Sequence, residues 1–123
     1  MRIRRINSLI TSQRTGFTLR QLDWMDRTGV VKCARQKGTR MYGSLEIETL
    51  QVMRRLRDKG LTAQRVRRLA TQIKKNVQAR DVKWVVVDDL GKGISFHREQ
   101  VNAWSRVLQS DRPMLLVEVI RES

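Results

Sequence analysis

The sequence has one cysteine, one histidine and one proline in 123 residues. Cys33 cannot form an internal disulfide, and with His97 alone it cannot complete a protein-only zinc site, so no metal or cofactor is expected. Aromatics are scarce at 5%. No Phe/Tyr pair falls on a strand-like segment, which argues against the base-stacking platforms of RNA binders. No apolar run approaches the ~18 residues of a membrane span. The basic start Met1-Arg2-Ile3-Arg4-Arg5-Ile6-Asn7 runs into Ser8-Leu9-Ile10-Thr11-Ser12-Gln13-Arg14, too polar for a signal-peptide core. A cytoplasmic protein without membrane contact is expected. Phosphate-binding loops, nucleophile elbows and metal-spacing motifs are missing. Asp88-Asp89 with His97 is the one acid–base cluster, and adjacent acids in a Gly-flanked turn are ordinary punctuation, so no enzyme is expected.

Positive charge is what the chain has in excess. Its formal net charge is +14 and its pI is near 11.5. Residues 1–80 hold 20 Lys/Arg against 5 Asp/Glu, a net +15, while residues 81–123 hold 6 against 7, a net −1. Solubility alone does not require so uneven a split. A polyanion-binding module (1–80) joined to a near-neutral one (81–123) does. The 40% of hydrophobic residues is enough for a folded core.

Apolar spacing and turn signals give four short helices in the basic part. The first runs from Ile6 to Arg14, with Ile6, Leu9 and Ile10 on its apolar side, and stops at Thr15-Gly16. Thr18 caps a second, Leu19 to Arg27, with Leu19, Leu22 and Met25 as the inward stripe. Thr28-Gly29 closes it, and Val30-Val31 is an apolar anchor. Lys32 to Tyr42 is basic and has Gly38 near its middle, which reads as a β-hairpin. Ser44 caps a helix from Leu45 to Asp58, with Glu46 and Glu48 in its dipole-favoured first turn and Ile47, Leu50, Met53 and Leu56 inward. After Lys59-Gly60, Thr62 caps a helix to about Val77 built on Val66, Leu69, Ala70, Ile73 and Val77. Arg65, Arg67, Arg68, Lys74 and Lys75 form its outer, solvated face. Two short helices around a tight Gly-containing turn, with a hairpin after them, are the parts of a winged helix-turn-helix.

The pattern changes at residue 80. Val82–Val87 reads as a strand buried on both faces. Asp88-Asp89-Leu90-Gly91-Lys92-Gly93 is a turn, and Ile94–Phe96 a short strand. His97–Gln109 is a helix with Val101, Trp104 and Leu108 inward, Pro113 breaks it, and Met114–Ile120 is the last strand. The chain is thus α+β: a winged helix-turn-helix of four short helices plus wing hairpin, then a small β-β-α-β unit. At ~43 residues that unit is near the lower limit for independent folding and is expected to pack on the helices or on a second copy.

The run from Thr15 to Lys32, the segment Gly38-Thr39-Arg40-Met41-Tyr42 with Ser44, and the helix–Gly–Leu–Thr stretch Leu50 to Thr62 resemble, in order and spacing, the DNA-reading head of the MerR family over roughly residues 1–75. The chain departs from that pattern at three points. Trp24-Met25 stands where two aromatics are common, Cys33 stands where a proline is usual, and no long coiled-coil helix comes after residue 77. The missing helix removes the family's usual dimer contact and the route to an effector site, so no small-molecule effector is evident. The short tail is similar to those of truncated MerR-like proteins, some of which look like antitoxins.

The resemblance implies a double-stranded DNA-binding transcriptional regulator, located with the nucleoid. On the recognition helix, Arg20 suits a guanine edge, Gln21 an adenine edge, and Thr18 and Trp24 the backbone. Arg35, Lys37, Arg40 and Tyr42 of the wing are expected to reach phosphates or the minor groove. Lys59 and Arg65 are expected to clamp a phosphate at the helix beginning after Thr62. Trp24 and Tyr42 read equally well as core residues. The tail is expected to form a homodimer through residues 81–123, or to hold a toxin-like protein partner in an antitoxin-type autorepressor.

Overall fold

The computed structural model describes residues 5–88 and 93–122. The N-terminal residues 1–4 and most of the Asp88–Gly93 turn, including Asp89, lie outside the described residues. Strand β1 (Ile6–Asn7) leads into α1 (Ser8–Thr15). Asn7 ends the strand and caps the helix, its Oδ1 accepting the Ile10 N–H at 3.0 Å. The expected inward side of this helix is corrected: Leu9 and Ile10 are exposed, and Thr11 and Thr15 are buried. Their hydroxyls donate to the carbonyls four residues back, Asn7 and Thr11, at 2.8 Å each. A threonine satisfied in this way can face a core without an orphaned polar group, which apolar periodicity overlooks.

Helix α2 (Leu19–Thr28) opens with a reciprocal capping box. Gln21 N–H donates to the Thr18 hydroxyl (3.1 Å) and Thr18 N–H donates to Gln21 Oε1 (2.8 Å). Leu22 and Met25 are buried as expected, but Leu19 is half exposed at the first turn. Strands β2 (Ala34–Gln36) and β3 (Thr39–Tyr42) form the wing. Lys37 (φ 52°) and Gly38 (φ 80°) are both left-handed, the two-residue turn whose twist matches a hairpin. β1 adds to the far edge of β3, giving a sheet in the order β1-β3-β2.

Helix α3 (Ser44–Asp58) starts one residue earlier than expected. Gly43 is the cap position, and Glu46 reaches back to accept the Gly43 N–H at 3.1 Å. Helix α4 (Ala63–Gln78) is capped by Thr62, which accepts the Arg65 N–H at 3.3 Å. Leu50, Leu56, Ile73 and Val77 interlock in the centre of the core.

The tail is β4 (Trp84–Asp88), β5 (Ile94–His97), α5 (Gln100–Leu108) and β6 (Met114–Glu118). Its sheet has the order β5-β4-β6, antiparallel throughout, so Val85, Val86 and Val87 are buried in the central strand. Two expectations are corrected. His97 belongs to β5, opposite Trp84, and not to a helix. Val101, Trp104 and Leu108 of α5 face outward at 67%, 46% and 76% exposure, while Ala103 is the fully buried residue. A small residue lets the short helix lie close against β4, and the large ones are left outside.

The tail shares one core with the helices: Val85, Val87, Val117 and Val119 join the cluster of α3 and α4. A polar staple holds the two together. Glu48, expected in the dipole-favoured first turn of its helix, is fully buried. It accepts from Arg80 (2.9 and 3.2 Å), Arg121 (3.3 Å) and the Glu122 N–H (2.7 Å). Arg121 also donates to the carbonyls of Val77, Ala79 and Val82. The carboxylate is therefore a buried charge whose oxygens are satisfied, which is the condition for tolerating one. No described helix is long and apolar enough to cross a membrane.

Candidate nucleic-acid interface

Helix α2 offers its outer side to solvent, with Thr18, Arg20 and Gln21 all exposed. Arg20 makes no ion pair with any described residue, so its guanidinium is available. Gln21 is partly committed, because its Oε1 holds the Thr18 N–H in the capping box. Trp24 is half-buried at the rim of the core, and Arg67 of α4 stacks over its ring at 4.8 Å from the centroid.

The wing is fixed to α2 by two aspartates. Asp26, largely buried, accepts from Arg40 (2.8 Å), Arg35 (3.0 Å) and the Cys33 N–H (3.2 Å). Asp23 accepts from Arg40 (2.5 Å) and Arg27 (2.9 Å). Burial works to raise the Asp26 carboxyl, but the hydrogen bonds from Arg40 and Cys33 outweigh it and hold it below the usual carboxylate range. The Arg27 hydrogen bond is the main cause that keeps Asp23 low. Arg40 is therefore a strut between wing and helix, and Arg35 keeps half its surface in water while anchored at one end.

Tyr42 does not reach the interface. It is 1% exposed, and its hydroxyl is buried with no partner in good hydrogen-bond geometry among the described residues, the side chains of Cys33 and Ser8 lying near enough to interact with it. Burial pushes its pKa up to about 12. Its aromatic ring anchors the wing to the core, the second of its two sequence readings. Lys37 stands exposed at the wing tip and Lys59 exposed after α3. Arg65 is half-buried and donates to the Asp88 carbonyl at 2.7 Å, so it also ties α4 to the tail.

The residues that sequence reasoning misses lie between α2 and the α3–α4 corner. There a groove of about 480 Å³ has Phe17, Trp24, Met53 and Val66 on its floor and Arg20, Arg27, Arg57 and Arg67 around it. Apolar spacing does not single out Arg57, and it assigns Arg67 to a solvated face. The signal is weak because the arginines come from three helices 47 residues apart at the extremes, 20 to 67.

A Gly-linked helix pair, a two-stranded wing clamped to the second helix, and a basic face beside it define a winged helix-turn-helix DNA-binding head. Residues 11–73, just over half of the chain, match the MerR HTH family regulatory protein. The chain belongs to this family, whose helix-turn-helix makes it a DNA-binding transcriptional regulator. No curated protein matches the chain in sequence comparison.

Proposed function

We propose that the protein regulates transcription by binding particular double-stranded sequences through α2 and the wing, in the cytoplasm and against the nucleoid. The observation that carries this reading is the convergence of Arg20, Arg27, Arg57 and Arg67 from three helices on one face beside the exposed start of α2. Arg20 donates to the O6/N7 edge of a guanine. Gln21 contributes its amide nitrogen, since a bidentate adenine pair competes with the capping box. Thr18, Trp24 and Arg67 line the path of a sugar–phosphate strand. Lys37 and the free end of Arg35 neutralise phosphates beside the wing, with Lys59 and Arg65 at the start of α4. Arg40 and Tyr42 act indirectly by holding the wing.

Residues 81–123 serve as a unit for protein association, without touching DNA. In the main reading that partner is another copy. A second reading makes the protein an antitoxin-type autorepressor whose tail holds a small toxin-like protein. The exposed side of α5 and the position of β5 at the edge of its sheet favour it.

Mobility shifts of labelled duplex and of single-stranded RNA of the same length, over a salt series, test the nucleic-acid reading. Duplex binding that weakens steeply with salt is expected, with a logarithmic slope of about −0.9 per neutralised phosphate. Equal or tighter binding of the single strand contradicts the reading. A stoichiometric small partner co-purifying with the native chain supports the antitoxin reading, and its absence removes it.

A further inference from the structure

The groove between α2 and the α3–α4 corner, about 480 Å³ in volume, holds more than a phosphate path needs. Guanidiniums of Arg20, Arg27, Arg57 and Arg67 stand around it, and no carboxylate is among the described residues that line it. Each of the last three is tethered at one point. Arg27 Nε donates to Asp23 (2.9 Å), one Nη of Arg57 donates to the Leu61 carbonyl (2.8 Å), and Arg67 lies over the Trp24 ring. Arg20 makes no ion pair with any described residue. Like charges gathered around one groove favour an anion between them.

Beneath the arginines the floor is apolar, made by Met53, Val66 and the half-buried Trp24. A sugar–phosphate strand answers the arginines and leaves that floor unused. We infer that the groove is also the binding site of a free organic anion, with a carboxylate among the arginines and a planar aromatic body on the floor. Charge selects the head group, because a guanidinium pairs a carboxylate through two parallel N–H···O bonds. The floor selects the body, because a flat ring system leaves water against Met53 and Val66 and packs beside Trp24. The volume falls within the ~300–1,000 Å³ of small-molecule sites and has room for a bicyclic acid. Acetate or inorganic phosphate satisfies the charge and leaves the floor wet.

The groove lies on the face proposed to read DNA, and its regulatory consequence rests on that reading. Arg20 cannot hold a guanine edge and a carboxylate at once. The anion and the duplex therefore exclude each other, each weakening the other by the same factor. No coiled coil is needed to carry the signal, because the two sites overlap.

The test is calorimetric titration of the full chain with 2-naphthoate, beside the neutral 2-naphthalenemethanol and acetate. Saturable 1:1 binding of naphthoate is expected, at least ~10-fold tighter than either control. It is expected to weaken at least ~10-fold in Arg57→Gln and in Arg20→Gln, and to be unchanged in Arg68→Gln, an α4 arginine outside the groove. All three positions are exposed, and a melting curve checks the fold. Naphthoate bound no more tightly than the neutral alcohol or acetate overturns the inference. So does binding that neither Arg57→Gln nor Arg20→Gln weakens. Mobility shifts of a random duplex, with and without saturating naphthoate, are run in parallel. Loss of the shifted band is expected, and a chain that holds both together overturns the competition. If naphthoate binds in the groove and no duplex binds at all, the DNA reading fails and the site stands. If duplex binds and naphthoate does not, the site fails and the DNA reading stands.

Discussion

In the proposed DNA reading, base recognition turns on Arg20, because it is exposed on α2 and has no internal ion pair among the described residues. Replacing it with alanine is expected to cost about 1–3 kcal/mol of binding to the preferred duplex and to relax preference at one base pair only. Arg40 has the same chemistry and another role, since both of its ends are held by Asp23 and Asp26. Asp26→Asn is expected to lower stability at neutral pH by about 2 kcal/mol. The folded carboxyl titrates below its ordinary value, so its stabilisation is present above the unfolded pKa of about 3.9 and is lost as pH falls through the folded one. A urea-denaturation series against pH should show that acid loss in the wild type and a smaller one in the variant. Tyr42 runs the other way. Its neutral form is favoured up to about 12, so its contribution is full below about pH 10 and is lost as pH rises towards 12. Tyr42→Phe removes a buried hydroxyl that has no well-formed hydrogen bond among the described residues and should be neutral or stabilising at pH 7, with a shallower loss of stability across that alkaline window.

At the scale of elements, the buried Glu48 is what joins tail to head. Glu48→Ala leaves Arg121 without its carboxylate and is expected to cost about 3–5 kcal/mol, measured by denaturation with urea. A loss under about 1 kcal/mol would show that the shared apolar core alone holds the tail. Helices α2, α3 and α4 were legible from the sequence because each combines a cap, a stop and a long apolar period. The wing was legible from its basic run around Gly38. Three things were not. Two-residue β1 is too short to carry a period, and its Asn7 doubles as a helix cap. Helix α5 has apolar residues on more than one side, and the sheet chose Ala103 for close approach where side-chain size pointed to Trp104. Glu48 gave no sign of burial, because its partners Arg80 and Arg121 lie 32 and 73 residues further along the chain. In the candidate site, sequence reading found the polar residues but could not tell those that face outward from those spent on internal bonds. An arginine beside an aspartate in space looks the same in sequence as one free to meet a phosphate.

Across the whole molecule the charge division at residue 80 falls without a break in the core. The helices present the basic face, and the tail is bound to their back through Val85, Val117 and Glu48. That arrangement leaves the outer side of α2 and the outer side of α5 in solvent. The central claim is that α2 and the wing read sequence, beyond being attracted to phosphate. Selection of bound duplexes from a random-sequence pool, with the full wild-type chain and Arg20→Ala in parallel, measures this directly. The account predicts an enriched motif bound at least ~10³-fold more tightly than random duplex, with one base pair per half-site losing its preference in the variant. A wild-type pool that stays unenriched, all its members bound equally, would contradict it.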